Sequence, residues 1–161
     1  MRRATTVLSA FAFTVALAGT ATAAEPERRL TPREAAALPA EGAVAGTSGL
    51  FGITTTVLSG DPAKAGPYTV RLYVPAHMTI KAHTHRDDRA AIVVSGIWWF
   101  GYGANADPRA LKRLPPGSFY TEPAGQPHFA RTGEAPAVVY ISGFGPTDTV
   151  YVDPADDPNR K

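Results

Sequence analysis

Along most of the chain, short apolar or alternating runs are separated by clusters of glycine and proline. The runs span about residues 50–58, 68–74, 79–85, 90–95, 97–102, 110–114, 118–122, 127–132, 137–143 and 147–152. They are broken at 59–67 (SGDPAKAGP), 102–108 (YGANADP), 115–117 (PPG), 122–127 (EPAGQP) and 132–136 (TGEAP). Val70, Leu72 and Val74 alternate with Thr69, Arg71 and Tyr73, which is the period of a half-buried strand. About ten short strands with no helical period between them predict an all-β sandwich or barrel, not a parallel α/β sheet.

Two stretches depart from this pattern. In IWWFGY (97–102), Trp98, Phe100 and Tyr102 share one face while Ile97 and Trp99 share the other. A strand apolar on both sides is either enclosed in the core or lies at a subunit interface, here that of a homodimer. Residues 25–43 are rich in proline, alanine and charge. Thr31-Pro32-Arg33-Glu34 reads as a capping box, with proline at the first helical position, and Pro39 ends the short helix it opens.

The first 24 residues carry a different signal. Arg2 and Arg3 precede an apolar stretch, Val7 to Gly19, and small residues follow at 21–24. This is the layout of a cleavable signal peptide, cut after Ala23 or Ala24. The apolar stretch is shorter than the ~20 residues that span a bilayer, so no stable membrane anchor is expected. The division is then 1–24 signal peptide, 25–43 N-terminal segment, 44–152 barrel and 153–161 C-terminal tail, with the mature chain secreted or periplasmic.

Composition narrows the chemistry. The chain has 16 Lys+Arg against 14 Asp+Glu, and the two cations in 1–24 face no acid there. The remainder is therefore balanced at 14 against 14, which leaves no electrostatic footprint for nucleic acid. With no cysteine, there is neither a disulfide nor a thiolate ligand. No Ser-His-Asp order or phosphate-binding loop is present, and GYGANA lacks the third glycine and the strand-to-helix setting of a dinucleotide site.

There are four histidines: His77, His83, His85 and His128. His83 and His85 are two residues apart, so on a strand both imidazoles point to one face. His128 follows a Pro/Gly turn, from which a neighbouring strand can bring it opposite the pair. Three imidazoles suit a divalent transition metal: Zn, Fe, Mn, Ni or Cu. The bland reading is that they simply fill the interior.

These residues fall on two spaced motifs. His83, His85 and Gly96 match G-x5-H-x-H-x3-E-x6-G, and Gly117, Pro123, Gly125 and His128 match G-x5-P-x-G-x2-H-x3-N. Together they resemble the cupin superfamily over residues 77–132, and the flanking strands look like those of small exported single-domain cupins. The resemblance implies an antiparallel jelly-roll β-barrel (double-stranded β-helix) with a metal held by His83, His85 and His128. It does not imply a particular reaction, because this fold hosts many unrelated functions.

Three positions depart from the pattern. His77 stands at the first glycine and Thr132 at the final asparagine. Arg89 stands at the glutamate that is the family's fourth ligand. A guanidinium ~5 Å from a dication would repel it by roughly 6–7 kcal/mol at an effective dielectric of ~20. Arg89 therefore either turns away to pair with Asp87 or Asp88, points inward to hold an anionic ligand, or marks a site without metal.

The reading that follows is an exported cupin with a three-His metal site that acts on or binds a small anionic molecule. The alternative is a non-catalytic small-ligand or metal-binding module, or one free of metal. Arg89, Gln126 and Tyr120 are candidates for substrate contact or support of the imidazoles. Glu122, Tyr73 and Arg71 are undifferentiated candidates for lining the barrel. His77 is a surface-turn residue or a fourth ligand, and Asp87-Asp88 is expected to be a solvated turn. When the full-length chain is expressed and its exported form is weighed by mass spectrometry, the N-terminus is expected at Ala24 or Glu25. An exported chain still beginning at Met1 would rule out cleavage.

Overall fold

Each of the ten runs forms a strand. The computed structural model describes residues 25–160; the expected signal peptide lies outside them. Helix α1 (Pro32–Ala37) is followed by β1 (Thr54–Ser59), β2 (Gly66–Val74), β3 (Thr79–Thr84), β4 (Arg89–Ser95) and β5 (Trp98–Tyr102). Then come β6 (Lys112–Leu114), β7 (Phe119–Glu122), β8 (His128–Arg131), β9 (Ala137–Gly145) and β10 (Val150–Tyr151). Helix α1 is built as its sequence predicts. The Thr31 hydroxyl accepts from the Glu34 amide at 3.3 Å, and the Glu34 carboxylate accepts from the Thr31 amide at 2.7 Å.

The strands form two five-stranded antiparallel sheets, ordered β1-β2-β9-β4-β7 and β10-β3-β8-β5-β6. From β2 to β5 the chain changes sheet at every step, as it does again from β6 to β10. This is the jelly-roll barrel expected from the sequence. Val70, Leu72 and Val74 of β2 face inward with Val93, Val139 and Ile141, and meet Ile80, Trp98, Phe100 and Ala130 of the other sheet. Burying each such aliphatic side chain is worth about 1.5–3 kcal/mol, so alternation along the strands is enough to fix which face is inside.

Trp98 and Phe100 are buried in this core, while Trp99 lies on the outer face beneath the Arg131 guanidinium, 5.1 Å from its ring centre. One face of the aromatic strand is thus accounted for by the core and the other by the Arg131 contact.

Gly96 shows how tightly a change of sheet is made. It joins β4 to β5 at φ +74°, and a Cβ there would lie 2.1 Å from the Pro136 carbonyl oxygen. Gly96→Ala should lower unfolding free energy by about 2–3 kcal/mol, combining left-handed strain with the clash. Gly133→Ala has open space around its Cβ and should leave the urea midpoint nearly unchanged.

Candidate metal centre

Register, not sequence spacing alone, brings the histidines together. In β3, Ile80 faces the interior, and strict alternation from it would turn His83 outward. An irregularity in the β3–β8 pairing between Ile80 and His83 shifts the phase, so His83 is buried as well. A bulge of this kind re-aims side chains without ending the strand. His85, just beyond β3, then faces inward too, and the register sets His83 directly opposite His128. The ring centres lie 4.4 Å apart for His83–His128, 4.9 Å for His83–His85 and 5.0 Å for His85–His128. One ligating atom from each lies within 4.8 Å of the others, and all three residues are buried.

Backbone carbonyls fix how the rings are presented. His83 Nδ1 lies 2.7 Å from the Lys81 oxygen, His85 Nδ1 2.5 Å from that of Asp148, and His128 Nδ1 3.1 Å from that of Gln126. A carbonyl only accepts, so each Nδ1 carries the proton and each Nε2 is left with a lone pair. Metal-ligating imidazoles are oriented by this same outer hydrogen bond. Among the described residues the Nε2 of His128 is buried with no partner, an arrangement that a filled core avoids and a cation would satisfy. The donor set therefore fits a transition metal.

The rings are also held neutral. Burial, followed by the neighbouring His128, pushes His83 down to about 4. Burial and then the Arg89 guanidinium drive His85 far below the usual imidazole range, and burial lowers His128.

Arg89 does not pair with Asp87 or Asp88. It points inward, and Glu122 lies directly opposite it in the β4–β7 register. Arg89 Nε donates to Glu122 Oε2 at 2.6 Å, and Nη1 donates to the Gly46 carbonyl at 2.7 Å. Nη2 contacts both Glu122 Oε2 and His85 Nε2. The repulsion expected of a lone guanidinium is accordingly offset, because the pair faces the histidines as a dipole with no net charge. Burial alone would raise the Glu122 carboxyl, but the Arg89 guanidinium outweighs it and holds it below the usual carboxylate range. Its Oε2 lies 3.7 Å from His85 Nε2 and 3.8 Å from His128 Nε2.

The other candidates divide clearly. Tyr120 is inside, its ring centre 4.2 Å from that of Phe100. Gln126 is an exposed turn residue whose backbone, not its side chain, steadies His128. Arg71 and Tyr73 lie on the outer face of β2, away from the cavity. His77 occupies an exposed turn at φ 58°, the conformation for which the family pattern has glycine, so it is no ligand. Thr132 replaces the asparagine structurally, donating to the Pro75 carbonyl at 2.6 Å and accepting from the Met78 amide at 2.9 Å. Asp87 is not solvated: it is buried and accepts from Tyr68 and Thr147, while exposed Asp88 accepts from the Ala124 amide.

The cavity beside the histidines is small, about 30 Å³, room for a water or an ion. Residues 46–48 line one side of it, and Tyr151 donates to the Ser48 carbonyl at 2.7 Å.

Neutral buried histidines make stability depend on pH. Below the unfolded value of about 6.5 the unfolded chain binds protons that the folded one refuses, so stability is lost as pH falls towards 4. His83 alone accounts for roughly 3 kcal/mol across that window. Urea midpoints of the metal-free protein are expected to fall steadily from pH 7 to pH 4. A flat profile would show that the rings are protonated or exposed.

Comparison of the sequence with protein-family models finds no match, and comparison with curated proteins finds none either. Solved structures are similar in fold. A polyketide cyclase, RemF, from Streptomyces resistomycificus aligns at a TM-score of 0.66 and 17% identity, over 83% of this chain and 90% of that one. An RmlC-like cupin from Shewanella frigidimarina gives 0.53 and 15%, over 74% and 92%. A cupin 2 conserved barrel domain protein from Rhodopseudomonas palustris gives 0.52 and 16%, over 65% and 69%. With its ten-stranded jelly roll, its two spaced motifs and these likenesses, the chain has the cupin fold.

Proposed function

We propose that this chain is an exported metal-binding cupin that holds a divalent transition metal through His83, His85 and His128 and uses it to bind or transform a small anionic molecule. The observation that carries the reading is the set of three Nε2 lone pairs, aimed inward by three Nδ1–carbonyl hydrogen bonds, with that of His128 unpartnered. The cation would supply Lewis acidity to a molecule entering an open position. The chain's own residues would set the selectivity. Three neutral imidazoles and a self-neutralised Arg89–Glu122 pair leave a dication's charge uncompensated, which favours an anion. Trp98 Nε1 and the Tyr120 hydroxyl are buried donors that line the same cavity, where ligand oxygens can accept from them.

A second reading has its own observation. Arg89 Nη2 already donates to His85 Nε2, so that imidazole is satisfied without a metal, as a metal-free small-ligand barrel requires. Metal content separates the two. The secreted mature chain, purified without an affinity tag, is expected to carry near one equivalent of a single transition metal, and His128→Ala to lose it. No metal in either chain, with a chelator leaving Tm unchanged, would defeat the metal reading.

A further inference from the structure

The family pattern puts its carboxylate ligand on β4, where this chain has Arg89. In an antiparallel pair, directly opposed residues present their side chains on the same face, about 5 Å apart. A carboxylate at position 122 therefore reaches the same part of the interior as one at position 89. Glu122 is that opposed residue. It is buried, and its Oε2 lies 3.7 Å from His85 Nε2 and 3.8 Å from His128 Nε2. Two donors sharing a cation at about 2.1 Å stand roughly 3.0–3.4 Å apart for right-angle to tetrahedral geometry. These two separations are within a few tenths of an ångström of that range, while His83 lies farther from the carboxylate, outside the 4.8 Å that groups the three imidazoles. The guanidinium Nη2 touches Glu122 Oε2 and His85 Nε2 together, so a positive charge already sits between the two groups that a cation would join.

We propose that Glu122 is the fourth protein ligand of the centre, supplied from β7 in place of the β4 carboxylate. Arg89 is then a positioning residue. It holds the carboxylate through Nε and is itself held by the Gly46 carbonyl through Nη1, while Nη2 gives up His85 when metal enters. The proposal rests on the three-His reading and adds a ligand to it. It also accounts for a buried acid in the second motif that the family pattern does not call for.

The test uses Co²⁺ as the probe, read by titration calorimetry and by its visible absorption, which reports the ligand set independently of any activity. Four chains are compared: wild type, Arg89→Met, the Arg89→Met/Glu122→Gln double variant, and His128→Ala. The double variant leaves neither buried charge stranded, so its comparison with Arg89→Met isolates the carboxylate. Arg89→Met should bind Co²⁺ at least as tightly as wild type. The double variant should bind more weakly by over 100-fold, beyond the roughly 10–100-fold of losing an outer hydrogen bond, and its visible band should change. Arg89→Met that folds only with Co²⁺ present supports the assignment equally, because the cation then balances Glu122. Equal affinity and identical spectra for Arg89→Met and the double variant, with binding lost only in His128→Ala, would overturn the Glu122 assignment and leave the three-His centre standing. Arg89→Met that stays unfolded at saturating Co²⁺ while the double variant folds and binds like wild type would also overturn it. No saturable binding in any chain would remove the three-His centre and the assignment together.

Discussion

A fully buried arginine has to find its counter-charge inside the same fold, since leaving one partner of such a pair alone costs about 3–5 kcal/mol. Here the β4–β7 register supplies it, setting Glu122 opposite Arg89 at the edge of the histidine cluster. Much of the site's character follows from that contact. It cancels a charge that would repel a cation, keeps a carboxylate ionised beside two imidazoles, and ties the interior to the Gly46 backbone. A change at either position is felt by the rings, the cavity and the segment over it.

The rings are arranged by main chain more than by side chain. Lys81, Asp148 and Gln126 each lend a carbonyl, and these come from β3, the approach to β10 and the turn before β8. Because the backbone does the orienting, the identities of those three residues matter little, and Gln126 can expose its side chain without loosening His128. The centre is therefore as rigid as the barrel that frames it.

The sequence made the fold legible and the site only half so. All ten runs became strands because each carries its own period and its own Gly/Pro punctuation, which are local properties. His83, His85 and His128 were readable because spacing and motif coincide. The phase shift in β3 was not, because a bulge shows up only in the pairing with β8. Nor was the partner of Arg89. Asp87 and Asp88 were nearer in sequence, but sequence distance says nothing about which residues a register sets face to face. Tyr120 and Glu122 alternate on one face of β7, and an interior arginine needs an acid; together those two hints were the only trace of the pair. The place of His77 follows from its backbone, since a left-handed turn position tolerates a non-glycine residue where nothing else crowds it.

The short stretch at 46–48 also bears on kinetics. It lines a cavity too small for anything beyond a water or an ion, and it is held by hydrogen bonds from Arg89 and Tyr151. At Gly46 a Cβ would meet Thr147 at 2.4 Å, so the backbone there is already in close contact with its neighbours. The space beside the histidines as it stands admits nothing larger than a water or an ion. A larger ligand would reach the imidazoles from that side only by loosening these contacts, and its binding rate would then level off as ligand concentration rises.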